Sequence, residues 1–327
     1  MDKPVYSFVI PIYNEEETLW ELYKRVSALI SQLDGDSEVI LVDDGSKDSS
    51  YEIISKLNSV DSRFKVAQLS RNFGHQVAIT AGMDLAEGQA VIIMDADLQD
   101  PPEVVIEMAK RWREGYDVVY GVRKERHGET WFKKTTASAF YRLLRRLTDL
   151  QISTNAGDFR LVDRSALDAV RSMREHNRFV RGMFSWVGFR QTGVEYIRSE
   201  RFAGETKYPL RKMIKLAIDG ALSFSVAPLR FSLHIGSVIA VISFLSALFA
   251  IMAKLCGSHA IPGWAFIIAG VFFLGGVQLM LVGILGEYIG RIYEEVRHRP
   301  LYLIKDAVGF PELTTREIPR TSSQGDN

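Results

Sequence analysis

The sequence predicts an α/β fold with a mostly parallel sheet, followed by an amphipathic interface helix and two transmembrane helices. Three observations carry this expectation. Through residue 122, short apolar runs alternate with segments of helical periodicity, the pattern of strands joined by crossover helices. Polar clusters recur directly after those apolar runs. Far downstream, between Phe231 and Gly286, Lys254 is the only Asp, Glu, Lys or Arg.

The strands come first. Val5–Ile12, Glu38–Val42, Phe64–Leu69, Ala90–Met94 and Val118–Val122 are apolar and rich in β-branched residues, and helical segments are expected to begin near Asn14, Lys47, Gly74 and Pro101. Right-handed crossovers make the sheet mostly parallel, and such sheets bind ligands beyond the carboxyl ends of their strands. The polar signals fall there: Tyr13-Asn14-Glu15, Asp43-Asp44-Gly45-Ser46, Ser70-Arg71-Asn72 and Asp95 to Gln99. Residues 1–208 therefore read as one domain carrying a composite site.

The membrane module follows. Residues 209–230 space apolar side chains at helical intervals, with Arg211, Lys212 and Lys215 on another face, as in a helix lying in the bilayer interface. Within residues 231–286, two apolar stretches, Phe231–Ala253 and Gly263–Gly286, each exceed the ~20 residues that cross a ~30 Å hydrocarbon core. Basic residues flank both outer ends: Arg211, Lys212, Lys215 and Arg230 before, Arg291, Arg297 and Arg299 after. The positive-inside rule then puts both termini and the first domain in the cytoplasm. Residues 287–312 read as a cytoplasmic juxtamembrane segment, and the polar tail 313–327 as disordered. Gly236, Ala240, Gly286 and Gly290 suit close helix contacts, either between chains or between the two spans of one chain.

Composition narrows the function classes. The net charge is zero, yet Arg123–Arg146 holds eight Lys/Arg against two Glu. Beside a membrane such a cluster attracts phosphates and anionic head groups, and no nucleic-acid-binding motif accompanies it. Cys256 is the single cysteine, which excludes an intrachain disulfide and a cysteine zinc cluster. VYSFVIPI reads as a strand from the start, and no signal peptide is expected.

The run VIIMDADLQDPPE carries the most chemistry. Strand alternation would project Asp95 and Asp97 to one side. Two carboxylates suit Mg2+ or Mn2+, which keep several waters and share their remaining ligands with substrate phosphates. Neither G-x-G-x-x-G after the first strand nor G-K-[ST] is present, so a dinucleotide-binding oxidoreductase and a P-loop NTPase are poorly supported.

PIYNEEETL, LVDDGSKDSS, LSRNFGHQVAITAG and MDADLQDPPE, in this order and spacing, resemble the catalytic domain of family-2 glycosyltransferases with the Rossmann-like GT-A fold. NAGDFRLVDR, RFAGETKYPLRKM and LGEYIGRIYEEVRHRPLYLI resemble its polyprenyl-phosphate branch, which includes bacterial GtrB-type glucosyltransferases and dolichol-phosphate mannose synthases. The resemblance reaches about residue 305. It implies that Pro11, Tyr13, Glu15 and Asp44 hold the base and ribose of a nucleotide sugar, with Arg71 nearby. It further implies that Asp95, Asp97 and Gln99 bind or position metal and diphosphate, and that Asp158 stands at the reaction centre. A homo-oligomer, with a tetramer as one candidate, is also implied, as is residence in the bacterial inner membrane.

On that reading the acceptor is a lipid monophosphate, whose second ionisation near ~6 leaves it a competent dianionic nucleophile at neutral pH. Asp158 then serves as a nominal base or as a positioning group. Arg123, Arg201 and Lys207 are candidates for the acceptor phosphate, and Gly204 gives the loop RFAGETKY mobility to close over substrates. His75 is read as structural. The reaction expected is inverting transfer of a hexose, glucose from UDP-glucose by first choice, to undecaprenyl phosphate at the cytoplasmic face. Alternatives are the same chemistry with GDP-mannose or a UDP-linked modified arabinose, or a non-catalytic membrane scaffold or sensor.

Overall fold

The computed structural model describes residues 3–124, 156–198 and 263–310, with scattered helical positions between 229 and 252. The chain divides into two units, Met1–Met213 with Pro300–Asn327, and Ile214–Arg299.

The first unit is built on an eight-stranded sheet of order β7-β5-β6-β4-β1-β2-β3-β8. Its strands are β1 Tyr6–Ile12, β2 Ser37–Asp43, β3 Phe64–Leu69, β4 Ala90–Ile93, β5 Val118–Arg123, β6 Ala156–Asp163, β7 Gln191–Tyr196 and β8 Ile304–Val308. The helices α1 Leu19–Ile30, α2 Ser50–Val60, α3 His75–Leu85, α4 Val104–Arg113, α5 Arg164–Ser172 and α6 Val180–Trp186 connect and cover them. The run β3-β2-β1-β4 is parallel throughout, and β5 pairs in parallel with β7. The mostly parallel α/β fold expected from the alternation is present.

Burial explains the elements. β1 and β2 are buried along their whole length, as strands covered on both faces must be. α1 buries Leu19, Leu22, Val26, Leu29 and Ile30, an i, i+3, i+4 stripe facing the sheet. Each large apolar side chain so buried contributes about 1.5–3 kcal/mol. α3 is buried nearly all round because it packs against both β1 and β2. α1 starts five residues after Asn14, because Asn14 adopts a left-handed φ of 55° and ends the strand in a turn.

Three features depart from the local reading. First, β5 does not neighbour β4, because β6 inserts between them antiparallel to both. Second, β8 lies in the stretch expected as a juxtamembrane segment and pairs antiparallel with β3, which covers an otherwise open sheet edge. Third, β4 stops at Ile93, so Asp95 and Asp97 lie on a turn, and strand alternation does not set their directions.

In the second unit, helix α7 spans Trp264–Val296, 33 residues. Its portion Phe273–Val296 is long and apolar enough to cross a membrane, containing an 18-residue window of mean hydropathy 1.5, none of it buried in protein. The helix continues ten residues past Gly286, where the apolar stretch was expected to end. Nothing there breaks it, and Glu287 pairs with Arg291 one turn on at 3.1 Å. The expected interface helix 209–230 apart from Leu229, most of the first apolar stretch and the tail 313–327 lie outside the described residues.

Candidate active site

The order β3-β2-β1-β4 places a switch point between β1 and β4, where the following loops diverge and leave a crevice at the carboxyl edge. The loops after β1 and β2 are stitched together along it. Asn14 N donates to Ser46 Oγ at 3.0 Å, Lys47 N to Asn14 Oδ1 at 2.8 Å, and Glu15 N to Ser50 Oγ at 2.9 Å. Pro11 is buried in β1 beyond the last β1–β4 pair, at Val9, so its missing N–H costs no ladder bond. Tyr13 stays 42% exposed at the edge.

The loops after β2 and β3 are joined by Asp44. Its buried carboxylate accepts Phe73 N at 2.7 Å and Gly74 N at 2.9 Å, while burial pushes its pKa up. Asp44 therefore shapes this corner whether or not it touches a ligand. Arg71 lies over the Phe73 ring at 4.0 Å, donates from Nη1 to the Asn72 carbonyl at 3.1 Å and makes no ion pair among the described residues.

After β4 comes the acidic turn. Asp97 is buried and its Oδ1 accepts Gln99 N at 3.1 Å. Asp95 retains 29% side-chain exposure, yet its Oδ1 is a buried atom with no hydrogen-bond partner among the described residues. Burial raises the Asp95 pKa to about 6; His75 opposes this, and the charges of Asp158, Asp100 and Asp97 reinforce it. A buried carboxylate oxygen among other acids, approached by His75 Nε2 at 3.4 Å, is the electrostatic setting a cation relieves. No group of three or more His, Cys, Asp or Glu with metal-holding geometry occurs among the described residues. A turn offering one or two carboxylates fits Mg2+ or Mn2+ completed by diphosphate and water, and does not fit a closed protein cage.

Asp158 arrives from the other side. Because β6 is antiparallel, its first residues share the edge where β4 ends. The register Ile93↔Arg160, carried on two places, sets Asp158 opposite Asp95. His75, at the first position of α3, bridges them: its Nε2 stands 3.4 Å from Asp95 Oδ1 and 3.5 Å from Asp158 Oδ2. Packing opposes the imidazolium, but the bond to Asp158 and the charge of Asp95 outweigh this and raise the His75 pKa. The sequence reading took His75 as structural; the structure gives it two carboxylate partners from distant segments, which could not be seen in the sequence.

Arg181 was missed altogether. Its Nε and Nη2 meet Asp158 Oδ1 and Oδ2 at 2.7 and 3.0 Å, and Asp158 is 4% exposed. Burial opposes the charged carboxylate, but Arg181, His75 and Arg160 hold its pKa well below the usual range. The only sequence signal was an arginine within the otherwise apolar VRGMFSW. Arg160, also buried, donates from Nε to the Asp158 carbonyl at 3.1 Å.

Arg123, at the end of β5, is engaged. Its Nη2 donates to buried Asp100 Oδ2 at 3.1 Å and its Nε to Tyr196 Oη at 3.1 Å, while Tyr196 Oη donates to Asp100 Oδ1 at 2.5 Å. Arg201 and Lys207 lie outside the described residues.

Known proteins resemble this chain in sequence. The pattern described as glycosyl transferase family 2 matches residues 7–171. The chain belongs to glycosyl transferase family 2. This family-2 chain is 49% identical over 305 residues to the Bacillus subtilis protein named uncharacterized glycosyltransferase YkcC, covering 93% of this chain and 94% of that one. It is 41% identical over 300 residues to the bactoprenol glucosyl transferase of Shigella phage SfV, covering 92% and 98%. The prophage bactoprenol glucosyl transferase homolog of Escherichia coli K12 is 39% identical over 299 residues, covering 91% and 98%. Among solved structures, the mannosyltransferase PcManGT from Pyrobaculum calidifontis in complex with GDP-Man and Mn2+ matches with TM-score 0.46 and 15% identity, over 90% of this chain and 88% of that one. As a member of family 2, the protein is a transferase enzyme.

Proposed function

We propose that this enzyme transfers a hexose, glucose from UDP-glucose by first choice, to the phosphate of a polyprenyl phosphate such as undecaprenyl phosphate, with inversion, at the cytoplasmic face of the membrane. The observation that carries this is the meeting of two carboxylates from different segments, Asp95 and Asp158, across His75 at 3.4 and 3.5 Å. One belongs to the turn suited to a metal-bound diphosphate, the other to the reaction centre. The relatives named bactoprenol glucosyl transferases, alike over nearly the full length, support the lipid acceptor.

Tyr13 and Glu15, with Pro11, Asp44 and Arg71, would form the nucleotide side. Asp95, Asp97 and Gln99 would hold Mg2+ or Mn2+, which when bound neutralises the diphosphate and the charge developing on it as it departs. The acceptor phosphate oxygen forms its bond to the anomeric carbon as the bond from that carbon to the diphosphate breaks, and the electron pair leaves with the nucleoside diphosphate. Arg123, Arg201 and Lys207 are proposed to hold the acceptor phosphate. Replacing Arg201 or Lys207 with Ala then raises the lipid-phosphate requirement roughly ten- to a hundred-fold. Helix α7, with the preceding apolar stretch, would anchor the enzyme as a homo-oligomer with both termini cytoplasmic. A membrane-impermeant maleimide should then reach Cys256 only from the opposite side.

Purified enzyme in lipid nanodiscs, given labelled UDP-glucose, GDP-mannose or a UDP-linked modified arabinose together with undecaprenyl phosphate or undecaprenol, tests the reading. Transfer from UDP-glucose to the phosphate alone supports it. Transfer from another donor redirects the sugar assignment, and no transfer to undecaprenyl phosphate from any of the three, or equal transfer to undecaprenol, refutes the polyprenyl-phosphate reading.

A further inference from the structure

Asp158 is surrounded more completely than a proton acceptor should be. A carboxylate offers about four acceptor positions, and four donors approach this one. Arg181 supplies Nε and Nη2 at 2.7 and 3.0 Å, Gln76 its Nε2 at 3.3 Å, and His75 its Nε2 at 3.5 Å. Among the described residues, the groups facing it are His75 and Gln76 on α3, Asp95 after β4, Arg160 on β6 and Arg181 on α6. Gln76 also accepts Val180 N at 2.9 Å, which fastens the residue before Arg181 to α3. The fork of Arg181 is therefore aimed by the fold and does not rest on one flexible contact.

We propose that Arg181 is a positioning residue of the transfer centre, holding Asp158 by both oxygens so that the carboxylate acts as a fixed negative charge beside the reacting sugar carbon and accepts no proton. This rests on the transferase reading above. The chemistry balances without a base: a dianionic phosphate acceptor has no proton to lose, one carbon–oxygen bond forms as another breaks, and the electron pair departs with the nucleoside diphosphate. The sugar carbon gains positive character between the two oxygens, and a preorganised carboxylate stabilises that charge at no reorganisation cost. The depressed pKa of Asp158 agrees with a group kept ionised through the reaction.

The test uses the full-length enzyme in nanodiscs with the nucleotide sugar that wild type uses and undecaprenyl phosphate. R181A should lose about 100-fold in kcat with the nucleotide-sugar KM and Mn2+-dependent UDP binding unchanged. Added guanidinium should restore roughly tenfold of the loss, as a charge-assisted fork is re-formed, and R181K should fall in between. Wild type should show no solvent deuterium isotope effect on kcat, because no proton is in flight. Thermal melting checks that each variant is folded; where R181A melts early, R181K carries the comparison of kcat with KM. A wild-type solvent isotope effect, unimpaired kcat in folded R181A or R181K, or a loss confined to KM would each overturn the proposal. Wild type that transfers sugar to no lipid phosphate overturns the transferase reading and this proposal with it, whereas wild-type transfer with an unimpaired variant removes this proposal alone.

Discussion

Tyr302 donates its hydroxyl proton to Asp84 Oδ2 at 2.9 Å across 218 residues of chain. The contact begins a seam that returns the carboxyl-terminal segment to the sheet: Ser70 N donates to Leu303 O at 2.9 Å, Tyr51 Oη to Asp306 Oδ2 at 2.6 Å, and β8 pairs with β3. The loop bearing Arg71 is thus braced by residues that follow helix α7. A segment expected as a juxtamembrane stretch becomes a brace for the loop after β3.

Removing the Tyr302 hydroxyl should loosen that seam. Tyr302→Phe removes one of two donors from Asp84 Oδ2, which keeps Arg174 Nη1 at 2.9 Å, a loss of about 0.5–1.5 kcal/mol. The expected result is a lower melting temperature and faster proteolytic cleavage near residue 302. Unchanged melting and cleavage would show that β8 holds without this bond.

Asp97→Ala should abolish sugar transfer and weaken nucleotide binding in the presence of Mn2+, with the melting temperature of the free enzyme little changed. Titration calorimetry with UDP, with and without EDTA, reads this directly. Metal-independent UDP binding of full strength in wild type would remove the metal from the reading.

Gly45 adopts φ +70°, and a Cβ there would lie 2.6 Å from the Arg71 carbonyl carbon and 2.7 Å from Asn72 N. Both neighbours are backbone, so the loops after β2 and β3 must part. Gly45→Ala should cost about 1–3 kcal/mol and lower nucleotide affinity more than lipid affinity. Equal losses for both substrates would mean that the damage is global.

Asp163 caps α5. Its Oδ1 accepts Ser165 N at 2.9 Å, and its Oδ2 accepts Trp112 Nε1 at 2.9 Å. Asp163→Ala should lower stability by about 0.5–2 kcal/mol. Burial works against the charge, but the Ser165 and Trp112 bonds outweigh it and depress the Asp163 pKa. The stabilisation is therefore present above the ordinary carboxylate range near ~4 and lost as pH falls through the depressed value. The melting difference between wild type and variant should shrink on acidification from about pH 6 to about pH 3. A difference constant across that range would assign the effect to packing alone.

Local pattern was enough for much of the scaffold. The runs at Val5–Ile12, Phe64–Leu69 and Val118–Val122 became strands within a residue or so of their expected limits, because apolar periodicity and β-branched content act over a few neighbouring residues. The same locality placed Tyr13, Asp44, Arg71 and Asp95 at one edge: parallel strands joined by crossover helices must end together. Asp95 and Asp97 were legible as candidate metal ligands from their spacing, and Asp158 as a candidate through the resemblance of its surroundings to a family.

What the sequence could not decide was partnership. β6 slides antiparallel between β4 and β5, and only that reversal carries Asp158 back to the edge opposite Asp95. Arg123 is taken up by Asp100, 23 residues earlier, and by Tyr196, 73 residues later. His75 and Arg181 reach the same carboxylate from α3 and α6. A side chain's identity is local, but the charge beside it, and hence its pKa and its role, depends on which distant strand or helix packs there. Periodicity does not encode that pairing; burial of the whole core selects it.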